Sequence, residues 1–503
     1  MGNKEKKITL MTLVLMIFTS VYGFPNMPKA FMLMGYSGII WYIACALLYF
    51  LPYAVMISEY GAAFREEKGG IYSWMSIIVG EKYAFITTLL WYESVVIWFV
   101  NTVSAIWIPL SNGLYGADTT SAWTFFGLDS VQTLGVMGII FMIVVTILCS
   151  RGLNNVSRVA RLGGIAIASL NVILIVGSII VALINGIQTP ITEPVHDFTV
   201  SPLAEYQSFI GLFSFATFAF YAYGGLEVLG SLVDKTENPR RTFPRGIILA
   251  TVVIIVGYAV GIAAVGLSAN WETVLHNDSV NLGNVPYVVM QNLGYQLGLC
   301  AGLSGAQALR AGAIMSHFVG ISMFVAVTGA FFTDAFAPLK SLISGAPAGL
   351  WPGRLGRTNE HGVHEYAMWI QAIVVIAFVA LVAFGGKNTA GFYEILTLMN
   401  NVSCTLPYIL LAYPYVKFKR MQKAGEIPSD FKIVNSMKLS KVVSYSIVFS
   451  VAAANVFAII EPSIADFATG WGDSVLMMLG PVVFIVAGLI LFNSYEKKNK
   501  IKE

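Results

Sequence analysis

Tyr221-Ala-Tyr-Gly-Gly-Leu-Glu227 interrupts an apolar run, 206–233, that is otherwise long enough to cross a membrane. Two adjacent glycines loosen a helix interior and let another group approach the backbone closely. A second interruption stands near the start of the chain, in Phe18-Thr-Ser-Val-Tyr-Gly-Phe-Pro-Asn26. There Pro25 has no amide hydrogen to donate, and its ring disturbs the carbonyl four residues back. Either break alone reads equally well as a kink or a small-residue packing contact. Together they carry more, because they fall in the first and sixth apolar segments. These are corresponding positions if segments 1–5 and 6–10 are two repeats. Paired interruptions of this kind point to the midplane site of a secondary transporter. Freed N–H groups at a half-helix N-terminus suit a carboxylate, and freed carbonyls suit an ammonium group or a cation. The pair describes a site for a zwitterion.

Outward from the breaks the chain is apolar almost throughout. Of its 503 residues 57% are apolar and only 11% charged, where a soluble protein carries about a quarter. This excludes a soluble enzyme, a disordered protein and a nucleic-acid binder. A bilayer core of ~30 Å takes roughly 20 apolar residues in a helix. Twelve segments qualify: 8–35, 37–60, 83–113, 131–150, 162–186, 206–233, 246–268, 311–337, 366–385, 391–416, 442–461 and 473–494. The stretch 283–303, interrupted by Gly and polar residues, reads as a re-entrant or surface helix. The expected fold is an all-α polytopic membrane protein with about 12 transmembrane helices and no soluble domain.

The loops orient the bundle, since Lys and Arg collect on the cytoplasmic side. With twelve spans, every Lys and Arg except Lys29, Arg310 and Lys387 falls on one side, and both termini are cytoplasmic. The basic stretch Met1–Lys7 precedes an apolar run too long for a signal peptide, with no small-residue cleavage site, so it introduces the first membrane helix. The expected location is the cell (inner) membrane. Cys45, Cys149, Cys300 and Cys404 lack C-x-x-C spacing and read as small buried hydrophobes. No metal or other cofactor is expected. The chain holds five histidines, none in H-E-x-x-H, and no P-loop, which argues against a membrane enzyme or an ATP-driven pump. A channel is the competing class, but neither a carbonyl filter motif nor a ring of charge is visible.

Three stretches make the chain similar to the amino acid–polyamine–organocation (APC) superfamily. Glu59-Tyr-Gly-Ala-Ala-Phe-Arg-Glu-Glu-Lys-Gly-Gly-Ile-Tyr72 resembles its motif at the end of helix 2. Phe220-Tyr-Ala-Tyr-Gly-Gly-Leu-Glu227 followed by Glu237-Asn-Pro-Arg-Arg-Thr-Phe-Pro244 resembles its helix 6 signature. The helix 1 break fits as well. Within the family the chain resembles the glutamate/GABA antiporter branch, in particular bacterial YjeM-type permeases. The resemblance implies a LeuT-like fold of two inverted five-helix repeats and an alternating-access antiporter or proton-coupled symporter. Residues 1–190 and 191–420 are then the repeats, and 421–503 hold the last two helices and a cytoplasmic tail. It also implies site residues. Thr19 and Ser20 match a carboxylate-binding turn, with Gly23 in the break. Tyr221 and Gly224, beside Gly225, match carbonyls that receive the amino group. Tyr221 matches an aromatic gate, Glu227 an acid of closure or proton coupling, and Trp98 a side-chain-reading position. The family's buried Lys in helix 5 is missing, Ile167 standing there, and Lys340 replaces an Arg after helix 8.

Ionisable groups within membrane segments are functional hypotheses by default. Glu93 lies in Leu90-Trp-Tyr-Glu-Ser-Val95 and Asp334 in Phe331-Phe-Thr-Asp-Ala335. Similarity to arginine/agmatine antiporters places both at the far end of the substrate, which suits a cationic amino acid. Alternatively, Glu93 pairs with a neighbouring hydroxyl or carries a proton, Asp334 is simply hydrated, and the substrate is glutamate or GABA. Glu394 reads as a solvated helix-end charge, His317 as a packed or vestibule histidine, Asn400 and Asn401 as interhelix links, and Glu59 as an anchor for cytoplasmic loops. The expected partners are an amino acid and the lipid bilayer, with monomer and homodimer both open.

Overall fold

The computed structural model describes residues 9–64, 70–151, 156–227, 236–347, 349–428, 431–465 and 470–500. The basic residues Lys4, Lys6, Lys7, Arg65, Lys68, Lys235 and Lys502 lie outside them. Among the described residues the chain is helical, with no strand beyond one isolated bridge between Phe125 and Leu128.

The first apolar segment folds as two pieces, α1 (Leu10–Val21) and α2 (Asn26–Met34). Tyr22 closes α1 in an extended conformation, and Pro25, which has no N–H to lose, precedes α2. Next come α3 (Ser37–Ala63), the short α4 (Ile71–Ile78), α5 (Glu81–Tyr115) and α6 (Ser130–Ser150). The sixth segment is described as α8 (Phe209–Ala222), after α7 (Val156–Asn185). Then follow α9 (Pro239–Ser268), α10 (Val285–Cys300), α11 (Gly305–Gly345) and α12 (Glu365–Ala383). The chain continues with α13 (Thr389–Ala412), α14 (Tyr415–Ala424), α15 (Met437–Ala465) and α16 (Trp471–Lys500).

Ten of these helices are long and apolar enough to cross a membrane, against twelve segments in the sequence. The difference lies at the two breaks. They cut the first segment into pieces of 12 and 9 residues and end α8 after 14, below the length of a full span. Each start has a local cause. Asp129 and Gln132 form a reciprocal capping box at α6, and the Ser208 and Asn388 side chains accept the N–H groups of Gly211 and Gly391 to begin α8 and α13. The stretch expected as a surface or re-entrant element is α10, whose face packs on α7 and α11. Elsewhere α5 packs on α13 and α16, α8 on α15, α1 on α9, and α6 on α12.

One end of the bundle is fastened by a buried carboxylate. Glu59, at the end of α3, is fully buried. It accepts from Tyr415 Oη (2.8 Å), Lys419 Nζ (2.7 Å) and the N–H groups of Ile433 (2.7 Å) and Val434 (2.8 Å). The charge pattern predicts this end to be cytoplasmic, and Glu59 does anchor a loop there. A buried carboxylate is tolerated when paired and fully hydrogen-bonded. Removing one partner of such a pair costs about 3–5 kcal/mol. Glu59→Ala is therefore expected to lower the thermal unfolding midpoint of the purified protein clearly, and Lys419→Met to do the same; unchanged midpoints in both would show that the fastening carries no stability.

Candidate functional site

The helix 1 break, the end of α8, the C-terminal half of α5 and the N-terminal half of α13 line a cavity of about 240 Å³. This is smaller than the roughly 300–1,000 Å³ of drug-sized pockets and suits a small metabolite. Gly23, Pro25, Asn26 and Lys29 line one wall, Trp98, Asn101 and Thr102 another, and Phe218 and Tyr221 a third. Thr397, Asn400 and Asn401 of α13 close the floor, while Gly283, Pro286 and Tyr287 roof it from the loop before α10 and its first turn. The lining is aromatic and amide-rich, with one charged side chain, Lys29.

The two breaks are held to each other. The Tyr258 hydroxyl of α9 accepts from Gly23 N (2.9 Å) and Asn26 Nδ2 (3.1 Å). It lies 3.0 Å from the Val21 carbonyl and 2.9 Å from the Ala222 carbonyl. In the second break Gly225 adopts φ +110°, a region that side chains avoid. Beside it, a Cβ on Gly224 would collide with the Tyr408 hydroxyl of α13. Below the floor, Tyr408 stacks on Tyr49 (5.3 Å between centroids), and Tyr49 on Tyr53 (5.4 Å). Tyr53 donates to Glu227 Oε2 at 3.1 Å. This aromatic layer separates the cavity from the end fastened by Glu59.

Of the residues singled out from sequence, Gly23, Trp98 and Tyr221 line the cavity. Thr19 and Ser20 sit in the last turn of α1; their side chains lie outside the described structure. Gly224, Gly225 and Glu227 stand behind the cavity rather than in its lining. Glu93 is fully buried and turned away from it. Its Oε1 accepts from Ser403 at 3.0 Å and lies against Gly480 of α16, while Oε2 has no partner. Asp334 is half-buried on α11, one turn beyond Phe331, and also outside the lining. The geometry thus does not bring the two acids together around the cavity. His317 is packed, its Nδ1 donating to the Gly113 carbonyl at 2.8 Å. Asn400 and Asn401 turn out to be floor residues, and Asn401 Nδ2 is a buried donor with no partner. Lys29 is the residue that sequence reasoning passed over. Its signal was present, as one of three exceptions to the charge pattern. Among the described residues no cluster of His, Cys, Asp and Glu could hold a metal ion.

A bundle of membrane helices with a cavity at two paired backbone breaks has the architecture of a secondary transporter. The family model described as Amino acid permease matches residues 8–487, and the chain belongs to this family, within the APC superfamily. It is an amino-acid transporter and not an enzyme. It is 44% identical to Inner membrane transporter YjeM of Escherichia coli (strain K12) over 495 residues, 98% of this chain and 97% of that protein. It is 22% identical to Aspartate/glutamate permease AcaP of Lactococcus lactis subsp. cremoris over 501 residues, 97% of this chain and 95% of the relative. A Glutamate/gamma-aminobutyrate antiporter of Lactococcus lactis subsp. lactis is 23% identical over 515 residues, covering 99% and 92%.

The contact between Gly224 and Tyr408 is directly testable. Gly224→Ala should push the Tyr408 ring out of its stack and lower uptake at least tenfold. Adding Tyr408→Phe, which removes the colliding oxygen, should recover most of that loss. Full activity of Gly224→Ala alone, in proteoliposome uptake, would show that the close approach is dispensable.

Proposed function

We propose that the protein carries an amino acid with an acidic side chain across the inner membrane by alternating access, as an exchanger or a proton-coupled symporter. The observation that carries this reading is Lys29, the single charged side chain in the cavity lining, with no ion-pair or hydrogen-bond partner among the described residues. An unpaired cation in a partly buried cavity is costly, and a substrate carboxylate offsets part of that cost. The α-amino acid moiety needs no charged residue. The N-terminus of α2 carries partial positive charge toward the α-carboxylate, and the C-terminus of α8 partial negative charge toward the ammonium group. Lys29 lies three residues along α2 from Asn26, so both fall on one helix face. A side-chain carboxylate extending along that face from the break meets Lys29. The names of the aspartate/glutamate and glutamate/GABA relatives agree with this chemistry.

A cationic substrate was expected from Glu93 and Asp334, and that expectation loses its footing because neither lines the cavity. Glu93 remains a candidate for proton coupling, and Glu227, tied to Tyr53, for closure. In this reading the two broken segments count as spans beside the ten long helices, the charge pattern supports cytoplasmic termini, and the family resemblance supports two inverted repeats. Tyr221, at the cavity edge beside the second break, serves as the gate.

Counterflow in proteoliposomes tests the reading with L-glutamate, L-aspartate, GABA, L-lysine, L-arginine and L-ornithine. L-Glutamate or L-aspartate should exchange best. A hydrogen bond to a charged group contributes about 1.5–3 kcal/mol, so Lys29→Met should cut uptake of that substrate on the order of 10–100-fold. Glu93→Gln and Asp334→Asn should leave the ratio of acidic to neutral amino acids unchanged. Exchange of L-lysine but not L-glutamate, abolished by Glu93→Gln, would return the assignment to a cationic amino acid.

A further inference from the structure

The Tyr258 hydroxyl joins three separate pieces of chain at one atom. It contacts the last residue of α1 (Val21 O, 3.0 Å), the gap and first residue of α2 (Gly23 N, 2.9 Å; Asn26 Nδ2, 3.1 Å), and the last residue of α8 (Ala222 O, 2.9 Å). Tyr258 is fully buried. Three rings pack around it: Tyr22 at 4.7 Å, Tyr42 at 5.4 Å and Tyr223 at 5.3 Å between centroids. Two of those rings are themselves pinned, Tyr22 Oη to the Gly257 carbonyl (2.8 Å) and Tyr223 Oη to the Tyr42 carbonyl (3.2 Å).

The partners around Tyr258 have a definite chemical pattern, two donors and two acceptors. A phenol has one proton and can accept two hydrogen bonds. Its lone pairs take Gly23 N–H and Asn26 Nδ2–H, and its proton is shared between the two carbonyls. A metal cation at the same junction could use the carbonyls but would repel both N–H groups. Carbonyls freed at broken transporter helices are where coupling cations are held. At this junction the chain supplies a hydroxyl in place of an ion, and the two N–H groups make the exchange of one for the other unfavourable.

We propose that Tyr258 is a positioning residue that locks the helix 1 and helix 6 breaks into one unit, so that the amino-acid site is assembled without a bound cation at their junction. The hydroxyl does not line the cavity, whereas its partners Gly23 and Asn26 do. It therefore acts on substrate through them. This inference is independent of whether the transported side chain is acidic.

The experiment is counterflow in proteoliposomes with L-glutamate, run with L-lysine instead if the wild-type protein exchanges that amino acid and not L-glutamate. Replacing all sodium by choline should leave the wild-type KM and rate unchanged. Tyr258→Phe removes only the hydroxyl; it should raise KM at least tenfold while kcat falls less than threefold, because the binding geometry is no longer pre-set. Asn26→Ala should raise KM by a smaller factor. The double variant should be no worse than Tyr258→Phe alone, since both changes remove parts of the same junction. A saturable sodium requirement in the wild type, an unchanged KM in folded Tyr258→Phe, or independent multiplication of the two losses would each overturn the proposal. If Tyr258→Phe does not fold, the sodium replacement and the KM of Asn26→Ala decide it.

Discussion

A backbone opened within a bilayer must find hydrogen-bond partners inside the protein, because lipid offers none. That constraint governs the centre of this molecule. Two helices are opened, and each opening releases peptide groups at depth. The chain satisfies several of them with one side-chain oxygen, the Tyr258 hydroxyl. The breaks are thereby made compatible with the membrane and held at a fixed distance from each other. The cavity exists because they are held apart and lined rather than closed on each other.

The two halves of the bundle are built unequally around that centre. On one side lies the cavity, roofed by the loop before α10. On the other lie the stacked rings of Tyr49, Tyr53 and Tyr408, and further out the Glu59 carboxylate with its four donors. Substrate leaving through that side must cross both layers. The Glu59 cluster joins α3 to α14 and the segment before α15, so an opening of this end would have to break or carry along a buried ion pair. Such a fastening favours the conformation seen here, and a carrier needs that preference to be modest enough for substrate to shift it.

How much of this was legible in the sequence depends on what kind of signal each feature leaves. Gly and Pro announce broken helices, so both breaks were visible; so were the span positions, from length and hydropathy. The facing of a side chain inside a uniformly apolar helix leaves no such mark. Glu93 sits in a 35-residue helix, Glu81–Tyr115, that is buried over most of its circumference, and the sequence does not say which neighbour it meets. It meets Ser403 and Gly480, away from the cavity. Tyr258 lies within Val252-Val-Ile-Ile-Val-Gly-Tyr-Ala-Val260 and reads as one more core aromatic. Its role comes from contacts with residues some 36 and 235 positions away. Asn400 and Asn401 were seen as polar, but whether they face a helix or a cavity is a tertiary fact.

Lys29 shows how a discarded exception can be the informative residue. A charge rule sorts nearly all the basic residues to one side, and the natural reading of the remainder is loop residues of the other side. A lysine within the first apolar segment, between Pro28 and Ala30, is not a loop residue on its own local evidence. Its charge has to be met either by a long reach to water or by a partner in the protein. No acid supplies that partner among the described residues, and the amides around it present only partial charges. A zwitterion brings no net charge, and in the proposed binding mode its two ends are served by the opposed helix termini at the breaks. The lysine is therefore left over after the amino and carboxyl groups of any amino acid are accounted for. A third substrate charge of negative sign balances it; a neutral side chain leaves it uncompensated, and a cationic one adds a like charge within the same small volume. On that ordering the proposed acidic substrate is the one whose side chain the cavity's single cation favours, while the breaks would read the amino acid backbone common to all.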